Sequence, residues 1–240
     1  GNSEGVRAAL ARTASRLEAL GATVGEATLP HARYGVASYY LVAPAEASSN
    51  LARYDGSLYG SLYGSREGEG ALGQVASAMR TRAHNFGPEV RRRVLMGSYA
   101  LSAGYYQAYY GKALKVRRLI AGDFERAFER FDLLLTPTAP TPAYPLGERV
   151  ADPLAMYLGD VNTVLANLAG LPAVSLPAGA AEDGLPCGVH FMAPALEDAR
   201  LLRLSAALER AAAGTFAPLA PLWARLEHVQ QTEISKVAEV

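Results

Sequence analysis

Cysteine is almost absent from the sequence, with only Cys187 in 240 residues. A single thiol excludes an internal disulfide framework and any metal centre built from several cysteines. The four histidines lie far apart, and none forms the His-x-His or His-x-x-x-His spacing that presents two ligands to zinc. The sequence is therefore not that of a disulfide-rich scaffold or of a zinc protein of these types.

Net charge and long apolar runs are missing as well. The 23 basic side chains balance the 23 acidic ones, which argues against a nucleic-acid-binding surface spread over the whole chain, although a local basic patch stays compatible. No apolar run approaches the roughly 18 residues of a membrane span, and the first residues lack the basic-then-apolar pattern of a leader. Because half of the residues are hydrophobic, we expect a globular, cytoplasmic protein with no membrane partner.

The common motifs of catalytic and cofactor sites are also lacking. There is no G-x-S-x-G elbow and no phosphate-binding P-loop. Gly68, Gly70 and Gly73 match G-x-G-x-x-G, but polar residues precede them where a dinucleotide site requires a strand. Ser48 and Ser49 lie in a helical segment without glycines, where small residues are typical of a helix contact. We predict no catalytic nucleophile, cofactor site or metal site in this chain.

The pattern of apolar residues and breakers predicts one α/β domain with more helix than strand. The predicted helices cover residues 4–20, 36–53, 159–169 and 196–213, and a long helical stretch over 88–130 is predicted to form two helices, which carry residues 91–111 and 112–130. The predicted strands cover residues 22–29, 131–137, 172–177 and 188–194, with a hairpin turn at Asp183–Gly184 between the last two. Gly111 and Gly122 are candidate breaks or close-packing points in the helical region. Residues 54–74 and 136–145 are predicted loops, and residues 214–240 are a predicted peripheral tail.

Three consecutive arginines, Arg91, Arg92 and Arg93, open an apolar helix. In helical geometry Arg93 shares a face with Gly97 and Leu101, so we expect Arg93 to point inward and the other two to face solvent or a partner. An inward arginine requires a carboxylate to offset its burial, and either the protein or a ligand could supply it.

Three further polar residues have open interpretations. Asp160 lies near the start of the predicted helix 159–169, where it is either a helix N-cap or a functional carboxylate. Tyr39 and Tyr40 lie in an apolar, small-residue segment, which favours core packing with one hydroxyl satisfied. Residue type alone leaves the role of all three undecided.

Five segments together resemble one family: residues 43–56, 91–113, 133–144, 152–179 and 183–194. They are similar to the A subunits of the glutamine-dependent glutamyl-tRNA(Gln)/aspartyl-tRNA(Asn) amidotransferases, within the amidase signature family. The blocks SSNLARYDG and DPLAMY-x-x-D point to this type of subunit rather than to amidases at large. The resemblance implies an α/β fold with a mixed central β-sheet flanked by helices, of which residues 1–213 form the C-terminal half.

The resemblance also implies what this chain lacks. In the family a Ser–cis-Ser–Lys triad, carried by an upstream Gly/Ser-rich signature, performs the chemistry, and these 240 residues do not contain that signature. No catalytic residue is therefore carried over, and the chain alone is expected to be inactive. Its opening Gly-Asn-Ser-Glu, without an initiator methionine, is typical of a fragment or a processed form.

Glutamine recognition is what the resemblance assigns to this chain, through Tyr39, Arg93 and Asp160. Arg93 would bind the α-carboxylate through its planar fork, Asp160 would bind the α-ammonium, and Tyr39 would supply a ring wall and a hydroxyl. The implied partners are subunits B and C, with tRNA reached through the complex. ATP and Mg²⁺ would be used by a partner subunit, with no cofactor in this chain.

Two alternatives stay open beside this interpretation. One is a stand-alone amidase signature hydrolase that acts on another amide, against which the Arg93 and Asp160 pair and the SSNLARYDG block argue. The other is a non-catalytic truncated subunit that only docks on partners, which the missing triad favours.

Overall fold

The computed structural model describes residues 1–56, 59, 73–149, 152–181 and 184–211. Over these ranges the chain forms eight α-helices and three β-strands. The helices are α1 (Glu4–Ala19), α2 (Gly35–Asn50), α3 (Gln74–Asn85), α4 (Pro88–Ala100), α5 (Lys112–Phe128), α6 (Pro153–Tyr157), α7 (Val164–Ala169) and α8 (Asp198–Ala211). The strands are β1 (Leu134–Pro137), β2 (Ala173–Ala180) and β3 (Pro186–Met192).

The described chain divides into two compact units. One unit joins Gly1–Leu29 to the described residues from Asp123 onwards, and it contains all three strands; the other is the helical segment Pro30–Gly122. The domain limits implied by the resemblance, residues 1–213 followed by a tail over 214–240, stay a prediction, and the predicted tail lies outside the described residues.

The three strands form an antiparallel sheet in the order β1-β3-β2. Side chains on one face of this sheet pack against α1 and α8 in a common apolar core, made of Val6, Ala9, Leu176, Ala178, Cys187, Val189, Phe191, Ala193, Leu201 and Leu208. The predicted hairpin between β2 and β3 is confirmed by their antiparallel pairing, and Gly184 has a φ of +71° there. Asp183 lies outside the described residues.

The first helix follows from its sequence. The Ser3 hydroxyl caps it by accepting a hydrogen bond from the Val6 backbone N–H at 3.4 Å. Val6, Ala9 and Thr13 are buried at spacings of three and four residues, which places them on one helix face. Gly21, with a φ of +93°, follows the end of the helix as predicted.

Several predictions of secondary structure need correction. The strand predicted over 22–29 is wrong, because residues 22–28 are exposed and pair with none of the described strands. Short helices α3 and α6 were not predicted, since neither carries a clear apolar stripe.

The predicted helix 91–111 ends at Ala100, and a π-helical turn over Gln107–Gly111 leads into α5. Gly111 is the last residue of this π-helical turn and Gly122 lies inside α5, so neither glycine interrupts the helix. Most of the loop predicted over 54–74 lies outside the described residues.

A glycine lets α2 and α4 touch within the helical unit. A Cβ on Gly97 would lie 1.9 Å from the backbone oxygen of Pro44, so only glycine allows the two backbones to approach this closely. Pro44 itself lies inside α2, where it cannot donate a backbone hydrogen bond to the carbonyl one turn earlier. This contact brings the first half of α4, which carries Arg93, beside the first half of α2, which carries Tyr39.

Candidate functional site

Arg93 is the arginine of the three that turns inward, as predicted. Its side chain is 27% exposed, against 50% for Arg92. Its Nη1 donates a hydrogen bond to the hydroxyl of Tyr39 at 3.1 Å, across from α4 to α2. Its Nε donates to Oε1 of Glu89 at 2.9 Å, one helical turn earlier on α4. The carboxylate that an inward arginine requires therefore comes, in this structure, from the protein.

Two aromatic rings surround the Arg93 guanidinium. Its central carbon lies 6.0 Å from the ring centroid of Tyr39 and 5.4 Å from that of Tyr40. The two rings meet edge to face, with centroids 5.1 Å apart and planes at 89°. Tyrosine faces attract a cation and limit its contact with water. The tyrosines thus form part of a cation-holding wall rather than only a core contact.

The charge of Arg93 is secured by its neighbours. Burial lowers the pKa of Arg93, but the hydrogen bonds to Glu89 and Tyr39 outweigh burial and leave the pKa above its ordinary value. The side chain is therefore a permanent cation with fixed hydrogen-bond partners. A fixed guanidinium of this kind suits a planar anion such as a carboxylate, which it can bind through two parallel hydrogen bonds.

Tyr39 and Arg93 are joined by a hydrogen bond within the helical unit. Asp160 belongs to the other compact unit. It lies in the 3-10 turn Leu158–Asp160 and is exposed. The N-cap interpretation is not borne out, because α7 begins only at Val164. Its backbone oxygen accepts from Thr163, whereas none of the hydrogen bonds and ion pairs described for the chain uses its carboxylate.

Glu89 contacts Arg93 directly, although the sequence analysis did not identify it as a site residue. Glu89 lies four positions before Arg93, and its second oxygen pairs with Arg92. An i, i+4 spacing places two side chains on the same side of a helix. That spacing was visible in the sequence and was the signal that could have identified Glu89.

Among the described residues, His, Cys, Asp and Glu side chains form no group of three that could hold a metal ion. A helix with the length and apolar character of a membrane span does not occur in the part of the chain that the structure describes.

The family model described as Amidase matches residues 1–202. The chain belongs to the amidase family. Among curated proteins, it is similar to the A subunit of glutamyl-tRNA(Gln) amidotransferase from Deinococcus radiodurans, with 56% identity over 213 residues, 87% of this chain and 43% of that protein. The protein of the same name from Acidothermus cellulolyticus is 53% identical over 212 residues, 88% of this chain and 41% of that protein.

Solved structures of amidases agree with this assignment. The crystal structure of the A subunit of glutamyl-tRNA(Gln) amidotransferase from Thermotoga maritima matches with a TM-score of 0.58 and 39% identity, over 82% of this chain and 36% of that one. Another, described as an amidase, matches with a TM-score of 0.62 and 25% identity, over 87% of this chain and 42% of that one. The predicted α/β amidase signature fold is confirmed. This amidase chain spans about two fifths of the length of its curated relatives.

Proposed function

We propose that this chain is the glutamine-binding portion of the A subunit of a tRNA-dependent amidotransferase, and that it corresponds to the C-terminal half of that protein. The observation that carries the proposal is Arg93, held between Glu89 and Tyr39 with its charge secured. The names of the similar curated proteins supply the activity, since both are A subunits of glutamyl-tRNA(Gln) amidotransferase.

In the proposed complete enzyme, glutamine is bound by its two α-substituents. Arg93 binds the α-carboxylate, Asp160 binds the α-ammonium, and Tyr39 forms a wall beside them. The exposed carboxylate of Asp160, which no described contact occupies, supports this assignment. Holding the α-carboxylate and the α-ammonium in place also fixes the position of the side-chain amide of glutamine. A nucleophile that attacks this amide requires such a fixed position.

The proposed chemistry then takes place on the upstream triad. A serine oxygen attacks the side-chain amide carbon of glutamine, the carbon–nitrogen bond breaks, and ammonia leaves. Water hydrolyses the resulting ester to glutamate. Ammonia passes to a partner subunit that uses ATP and Mg²⁺ to convert Glu-tRNA(Gln) to Gln-tRNA(Gln), or Asp-tRNA(Asn) to Asn-tRNA(Asn). This proposal includes partner subunits B and C, contact with tRNA through the complex, and a cytoplasmic location.

The test separates glutamine binding from amidation. In the complete enzyme, Arg93→Ala and Asp160→Ala should each raise the KM for glutamine by about 30-fold to 1,000-fold, because each removes one charge-assisted contact to the substrate. Amidation driven by added ammonia should stay close to that of the unaltered enzyme, since ammonia bypasses this site. Glutamine-driven turnover that survives both substitutions would contradict the proposal.

A matched control and a substrate comparison sharpen this test. Arg117→Ala removes an arginine of the same unit that pairs with Glu46 at 3.8 Å, and it should leave the KM for glutamine unchanged. Turnover of a simple aliphatic amide as fast as that of glutamine would instead favour the alternative of another amidase signature hydrolase.

A further inference from the structure

We infer that Glu89 is a positioning residue that holds the guanidinium of Arg93 in the orientation needed to receive the α-carboxylate of glutamine. This inference rests on the proposed function and names a residue that the family resemblance does not include. Glu89 acts only through Arg93 and has no contact with the substrate in this account.

The geometry fixes the guanidinium from two sides. Glu89 accepts from Nε at 2.9 Å, and the Tyr39 hydroxyl accepts from Nη1 at 3.1 Å. Because both partners lie on helices, a planar group held at two of its three nitrogens has a defined orientation. A guanidinium has five N–H donors, so donors stay available after these two bonds, and neither described bond uses Nη2. The two N–H groups of Nη2 and the second N–H of Nη1 are the donors that Arg93 can present to a carboxylate.

The charge arrangement explains how Glu89 can orient Arg93 without cancelling its attraction for an anion. One carboxylate oxygen of Glu89 pairs with Arg93 and the other pairs with Arg92. The three side chains together carry two positive charges and one negative charge, so the cluster keeps a net charge of about +1. A carboxylate ligand is attracted by this excess charge, while the fork of Arg93 is already in place.

The benefit of such positioning is entropic. Arginine has a long side chain with many rotamers, and a ligand that must order it loses affinity. Glu89 and Tyr39 order this side chain before the ligand arrives. An exposed Glu–Arg pair contributes little to stability, and this pair is open to solvent, with 44% of the Glu89 side chain and 27% of the Arg93 side chain exposed. We therefore expect the effect of Glu89 in substrate affinity rather than in folding.

The test compares three substitutions in the complete enzyme. Glu89→Ala removes the acceptor and should raise the KM for glutamine by about threefold to tenfold, with ammonia-driven amidation unchanged. Glu89→Gln keeps an oxygen that can accept from Nε, so its KM should stay close to that of the unaltered enzyme. Glu46→Ala is the control, because Glu46 is a carboxylate of similar exposure, 50%, that pairs with Arg117 instead.

The outcomes separate this inference from the proposed function. An unchanged KM in Glu89→Ala, beside a raised KM in Arg93→Ala, would overturn the role of Glu89 and leave the proposed function intact. An equal rise in Glu89→Ala and Glu89→Gln would overturn positioning by this hydrogen bond. A proportional loss of ammonia-driven amidation in Glu89→Ala would indicate a structural defect and would overturn the inference. An unchanged KM in Arg93→Ala would overturn both.

Discussion

Arg93 illustrates how one residue of this chain acquires a role through its neighbours. An isolated arginine on a helix surface makes weak and variable contacts. Here an acidic side chain from the preceding turn and a phenol from a second helix hold it, and tyrosine rings lie near its face. The result is a charged group whose direction is set by the fold, which is the property that recognition of a substrate carboxylate requires.

His190 leads to a prediction at the same scale. It is 5% exposed, its Nδ1 is buried with no described hydrogen-bond partner, and burial lowers its pKa below the ordinary 6.5. The unfolded chain therefore takes up a proton at a higher pH than the folded one. The stabilisation from a neutral His190 is fully present above pH 6.5 and is lost as the pH falls through 6.5 towards the lower folded-state pKa.

Urea unfolding of the complete protein, followed at about pH 8 and at about pH 5.5, would measure this effect. We expect the free energy of unfolding to decrease towards the lower pH, and to decrease less in His190→Gln, which carries no titrating group. An equal decrease in both proteins would contradict the assignment to His190.

At the scale of secondary-structure elements, the candidate site depends on the packing of α2 against α4. Tyr39 and Arg93 lie on different helices and are joined by a hydrogen bond, and the backbones of the same two helices approach closely at Gly97 and Pro44. Tight contacts of this kind respond strongly to added volume, because protein interiors cannot expand locally without strain.

The substitution Gly97→Ala therefore tests the role of the close packing between α2 and α4. The added methyl group would overlap the Pro44 backbone oxygen, so we expect destabilisation of about 1–3 kcal/mol or more and a raised KM for glutamine in the complete enzyme. Ser98→Ala is the control on the same helix, since Ser98 is exposed and its hydroxyl donates a hydrogen bond to the backbone oxygen of Val94 on its own helix. Equal stability and an equal KM in the two variants would mean that the close approach has no role.

At the scale of the whole molecule, the sequence predicted some parts of this fold and not others. Helices α1 and α2 were predicted because each has clear breakers or a long helical composition, and the inward direction of Arg93 followed from helical spacing. The strand over 22–29 was wrong because alternation alone does not supply a pairing partner. The hydrogen bond from Arg93 to Tyr39 joins residues 54 positions apart, a distance at which local patterns carry no information.

Three residues of the chain carry the proposed substrate contacts. Tyr39 and Arg93 lie in the helical unit, whereas Asp160 lies in the unit that contains the sheet. The proposed function assigns the α-carboxylate of glutamine to Arg93 and its α-ammonium to Asp160. Loss of Arg93 should therefore weaken the binding only of substrates that carry the α-carboxylate. Loss of Asp160 should weaken the binding only of substrates that carry the α-amine.

Steady-state kinetics with substrate analogues test this claim most directly. In the complete enzyme, glutamine is compared with γ-aminobutyramide, which lacks the α-carboxylate, and with glutaramic acid, which lacks the α-amine. We predict that Arg93→Ala lowers kcat/KM for glutamine by at least about 30-fold and leaves kcat/KM for γ-aminobutyramide nearly unchanged, and that Asp160→Ala does the same for glutaramic acid. A loss of equal size for glutamine and for the analogue would show that these residues do not bind the α-groups, and it would contradict the account.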